Sequence, residues 1–176
     1  MLSGYDINLK DLKTDRIDYD YLLDDAFFGA LEDSSIKKGN VNARVHVEKL
    51  SSGFRLALSI DGEVMVPCDR CLDDMPQEVQ AESELRVKFG EQYKDDGDDL
   101  IVIEEDKGII NVAWFLYEVV ALAVPIYHVH ELGQCNEKME EILSGMLREE
   151  NESGELSKNE ESTDPRWDGL KKLLNN

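Results

Sequence analysis

The sequence is short of positive charge, proline, cysteine and aromatic residues. Lys and Arg total 19 against 39 Asp and Glu, a formal net charge of −20. That field has the wrong sign for unaided binding to a phosphate backbone, which depends on cationic side chains displacing counterions. It favours solubility and the attraction of basic partners instead. Three cysteines are an odd number and cannot make a complete disulfide framework, so reduced thiols and a cytoplasmic setting are expected. The opening MLSGYDINLKDLK lacks the basic start and apolar run of an export signal. No stretch reaches the roughly 18 apolar residues needed to span a bilayer. The nearest, residues 109–124, is interrupted by Asn111 and Glu118 and stopped by Pro125. A Gly-rich phosphate loop, an H-E-x-x-H pair and a serine elbow are all missing. Carboxylates are too abundant for any pair to stand out, so no catalytic constellation emerges and a non-enzyme is expected.

What remains is an alternating, strand-forming chain of 176 residues, long enough for one domain and a tail. Val41, Ala43, Val45 and Val47 alternate with Asn42, Arg44, His46 and Glu48. Ser51-Ser52-Gly53 supplies a turn, and Phe54, Leu56, Leu58 and Ile60 alternate again. Asp61-Gly62 reads as a second turn before EVMVPC, giving an antiparallel meander. After a loop between Pro67 and Pro76, Val79, Ala81, Ser83, Leu85, Val87 and Phe89 form the inward side of another strand. The spacing predicts a helix over 112–123, capped by Asn111, apolar nearly all round and therefore buried on more than one side. The expected fold is α+β: an antiparallel meander or partly closed barrel, one buried helix, and a tethered C-terminal helix. Residues 1–148 form the domain, 149–163 an acidic disordered linker, and 164–176 a short amphipathic helix.

Cys68 and Cys71 are the sharpest local feature. A C-x-x-C pair between strands lets two thiolates face one atom, as in a zinc knuckle. His130 and Cys135, five positions apart, can complete a tetrahedral set, with His128 as substitute for the histidine. The alternative is that these are small buried side chains shaping two loops. A redox role for the pair lacks the strand-to-helix context that lowers a thiol pKa. Arg70 is either an anion or RNA contact or a solvated side chain paired with Asp73 or Asp74. In the terminal segment Trp167 is an aromatic anchor with Arg166, Lys171 and Lys172 as a basic rim, either for a partner or for docking on the domain itself.

The run Gly62-x-Val64-x-Val66-x-Cys68-Asp69-Arg70-Cys71-Leu72 resembles the C-x-R-C-L signature of the YceD family, the large ribosomal RNA subunit accumulation proteins. Glu118, Leu122-Ala123-Val124-Pro125, Val129-His130, Cys135 and the terminal Asp164-Pro165-Arg166-Trp167 continue the likeness in order, over roughly residues 5–174. The resemblance implies a cytoplasmic, non-catalytic factor supporting accumulation of large-subunit ribosomal RNA. It also implies a basic zinc-ribbon protein of the large ribosomal subunit as partner. Some branches carry further cysteines after the proline. Here only Cys135 stands there, which leaves one site of three thiolates and one imidazole. Two rivals follow from the residues. One is a factor contacting ribosomal RNA directly through Arg44, Arg55, Arg70, Arg86 and Lys88. The other is a small zinc- or thiol-dependent enzyme.

Overall fold

The computed structural model describes residues 2–31, 34–95, 97, 99–131 and 133–152. The chain divides into two units, Met1–Gln134 and Cys135–Asn176. Three long strands dominate the first: β3 (Lys38–Leu50), β4 (Gly53–Pro67) and β5 (Asp74–Gly90). Before them come β1 (Asp6–Asn8), β2 (Arg16–Leu23) and the short helix α1 (Asp25–Ala30); after them β6 (Lys94–Asp95), β7 (Leu100–Glu104), β8 (Ile109–Asn111) and helix α2 (Ala113–Ala123). Six strands form one sheet in the order β2-β3-β4-β5-β7-β6, and β1 pairs with β8 in a second.

Alternation writes the two faces of the large sheet. Val41, Val45 and Val47 of β3, Leu56, Leu58 and Ile60 of β4, and Val79, Leu85 and Val87 of β5 are buried. Each such side chain contributes about 1.5–3 kcal/mol of transfer free energy. Their neighbours Arg44, Glu82, Glu84 and Arg86 are exposed on the other face. Helix α2 packs over β4 and β5, and α1 over β2 and β3. Asp24 starts α1 by accepting the Phe27 N–H on its side chain at 3.0 Å, and the helix buries Phe27 and Phe28.

Four expectations need correction. Asp61-Gly62 is not a turn: β4 runs straight through, with Gly62 opposite Val41 on one side and Val79 on the other. A Cβ at Gly62 would stand 2.4 Å from the Asn40 carbonyl oxygen, so glycine serves close backbone approach within a strand. Of the two expected forms the sheet is the one found: β2 and β6 stand at its ends and it does not close into a barrel. Helices cover its apolar face, so the strands need not curl round to bury it. The sheet is also not wholly antiparallel, because β7 lies parallel to β5 and between β5 and β6. The chain leaves β5, forms β6 one position further out, and turns back through Gly97 (φ +70°) and Asp99 (φ +58°). Finally, α2 is buried on one side only. Leu116, Tyr117 and Val120 face the core, while Trp114, Glu118 and Leu122 are exposed at i, i+4 spacing. Ser83, expected inward, is exposed as well.

Asn111 does assist the start of α2, from one position further out than expected. It closes β8, Val112 takes the cap position, and the Asn111 side-chain oxygen accepts the Ala113 N–H at 3.1 Å. In the second unit Asn136 plays the capping part for α3 (Glu137–Glu152), its side-chain oxygen accepting the Lys138 N–H at 3.1 Å. Part of the expected linker and the whole expected terminal helix, with Arg166, Trp167, Lys171 and Lys172, lie outside the described residues. No described helix is long and apolar enough to cross a membrane.

Candidate metal centre

The C-x-x-C pair occupies the hairpin loop that joins β4 to β5. Pro67 and Asp74 are the last paired residues of the two strands. Between them the Cys68 N–H donates to the Asp73 carbonyl at 2.9 Å and the Leu72 N–H to the Cys68 carbonyl at 2.9 Å. This tight fold turns both thiols inward, and Cys68 and Cys71 are buried. Leu72 carries the bend at φ +66°, a left-handed conformation that costs an L-residue about 1–2 kcal/mol.

The segment after α2 is bound to this loop. Asp69 and His128 pair twice: the Asp69 N–H donates to the His128 carbonyl at 2.9 Å, and the His128 N–H donates to the Asp69 carboxylate at 2.8 Å. That clamp brings His130 to the thiols, with Nδ1 3.3 Å from Cys71 Sγ. The His130 N–H points at Cys68 Sγ at 3.5 Å, and the Arg70 N–H does so at 3.4 Å. Cys135, five positions after His130, supplies a fourth donor: the ligand atoms of Cys68, Cys71, His130 and Cys135 all lie within 4.8 Å of one another. These four lie close enough to hold a metal ion. His128 does not substitute. The cluster takes His130, while the His128 Nδ1 donates to the Pro125 carbonyl at 2.9 Å.

Electrostatics support the same use. Burial pushes the Cys68 thiol up, but N–H donation from Cys71, His130 and Arg70 outweighs it. The thiol is lowered from 9.0 to about 6. A thiolate at neutral pH is the form that ligates metal. The donor types fit zinc, since three thiolates and one imidazole are a usual set for a structural tetrahedral site. Arg70 is exposed in the loop and contributes its backbone to Cys68.

On the polar sheet face two residues of the expected basic patch, Arg44 and Arg55, are matched by carboxylates. Arg44 Nε meets Asp20 at 2.7 Å, and Glu48 bridges Arg16 and Arg55. The hydrogen bond from Arg16 leads the causes that hold the Glu48 carboxyl below its usual value. Asp69 was given no role from sequence, although an aspartate inside a C-x-x-C loop carries a carboxylate well suited to accept a backbone N–H.

Residues 56–174 match the family model described as large ribosomal RNA subunit accumulation protein YceD. No curated protein and no solved structure matches the chain. The matched span holds Cys68, Cys71, His130 and Cys135, both clamp residues, and all of α2. With more than half of its length in that match, the chain belongs to the YceD family.

Proposed function

We propose that this chain is a non-catalytic, cytoplasmic ribosome-biogenesis factor that supports accumulation of large-subunit ribosomal RNA by holding a basic zinc-ribbon protein of the large subunit. Family membership, whose name carries a role in large-subunit RNA accumulation, supports the pathway. The observation that carries the partner's chemistry is charge: the formal net charge is −20, and Arg44 and Arg55 are already engaged by Asp20 and Glu48. An RNA phosphate approaching the sheet would have to displace those carboxylates, whereas a lysine- or arginine-rich protein meets a favourable field.

Cys68, Cys71, His130 and Cys135 would hold zinc. Bound there, the ion would supply a structural tie between the hairpin loop and the segment after α2, since four protein donors leave a tetrahedral ion no open position. The burial of all three thiols also argues against a thiol enzyme, whose nucleophile must meet its substrate. Removing the chain from its cell tests the reading. The expected result is a fall in large-subunit ribosomal RNA relative to small-subunit RNA, rescued by wild-type protein. An unchanged ratio contradicts it.

A further inference from the structure

Large apolar side chains are left in water on two segments that the Asp69–His128 clamp holds together. Ile126 is 102% exposed, Leu122 86%, and Tyr127 and Leu72 are 70% each. Single exposed apolar residues are ordinary; four within six residues of the two clamp positions are not. Leu122 and Ile126 are four positions apart, so at most about 14 Å of chain separates them. Ile126 and Tyr127 immediately precede His128, and Leu72 follows Asp69 by three residues in the same short hairpin loop.

Local folding does not account for these residue types. Leu72 sits at φ +66°, where glycine or asparagine is the easier choice, and nothing is gained for the core by an exposed leucine there. Leu122 lies on the side of α2 turned away from the sheet, in line with Glu118. Exposed carboxylates are interleaved with the apolar groups, Asp74 beyond Leu72 and Glu118 one turn before Leu122.

We infer that the edge formed by Leu72, Leu122, Ile126 and Tyr127 is the seat of the basic partner. The segment it takes is cationic and amphipathic, with aliphatic or aromatic side chains covering the edge and lysines or arginines facing Asp74 and Glu118. This rests on the partner reading above and names its surface. Apolar anchors surrounded by complementary charge are the usual composition of a protein docking site.

The test uses the full chain, immobilised, and the protein fraction of large ribosomal subunits freed of RNA by ribonuclease and acid. The captured protein is identified by mass spectrometry and its affinity then measured with purified material. Wild type and the polar-face control Glu82→Gln should bind one basic protein alike, and Leu122→Ser/Ile126→Ser should bind it at least tenfold more weakly. If that double variant binds as well as wild type, the partner sits elsewhere; the edge is then wrong and the partner reading stands. If wild type captures no basic protein, the partner reading fails and this inference falls with it. Sedimentation gives the remaining outcome: a wild-type dimer that the double variant returns to monomer would assign the edge to a second copy and overturn the proposal.

Discussion

Asp69 and His128, 59 positions apart, bind each other through two hydrogen bonds, one backbone to backbone and one backbone to carboxylate. The clamp ties the segment that carries His130 to the hairpin loop that carries Cys68 and Cys71. Asp69→Ala removes one of the two bonds and leaves the His128 N–H without its carboxylate. The expected cost is about 1–2 kcal/mol, a fall in Tm of roughly 2–6 °C, with faster amide exchange at His128. Unaltered exchange at His128 would show that the clamp does not hold the segment.

Metal content checks the donor set. Protein purified without added metal is expected to carry about one zinc per chain, and Cys71→Ser less than a tenth of that. Stripping the metal with a strong chelator is expected to lower Tm by several degrees, since an ion bound only to the folded state stabilises it by mass action. Metal-free wild-type protein that takes up no zinc at micromolar concentration would contradict the assignment.

Gly62 gives a test of the strand that sequence reading broke in two. A Cβ there meets the Asn40 oxygen at 2.4 Å and Val41 Cα at 2.6 Å, whereas one at Gly29 in α1 meets nothing within 4 Å. Gly62→Ala is expected to destabilise by about 2 kcal/mol or more, and Gly29→Ala to be neutral or mildly stabilising. Equal effects in urea unfolding would place Gly62 in an open turn after all.

Tyr21 stacks on Tyr5 at 4.9 Å, and its hydroxyl is pushed up from 10.0 to about 12, first by burial and then by Tyr19, Tyr5 and Asp6. The folded chain therefore keeps a proton that the unfolded chain gives up near pH 10. This contribution is whole below pH 10 and is lost as pH rises from 10 to about 12. Tyr21→Phe should flatten that decline in unfolding measurements; an identical slope would refute the coupling.

The sequence made the sheet legible where alternation is strict. Val41 to Val47 and Phe54 to Ile60 announce their inner face because the side-chain period of a strand is two. It misled at Gly62, where the same residue that favours turns also permits close strand contact, and at β7, whose pairing partner is not set by its own pattern. The four clustered donors were readable because their residue types are uncommon and their spacings short. Asp69 and Leu72 were not, since a backbone clamp and a positive φ leave no periodic mark. Nor did α2 reveal its exposed side: apolar residues all round describe a helix between two layers as well as one sheltered on one side with apolar residues left exposed on the other.

The most direct test of the central claim is retention of a large-subunit protein by the tagged chain in cell extract, with and without ribonuclease. The account predicts that a basic ribosomal protein stays bound after the RNA is destroyed. Loss of every ribosomal protein on nuclease treatment, with RNA recovered from the untreated sample, would contradict it.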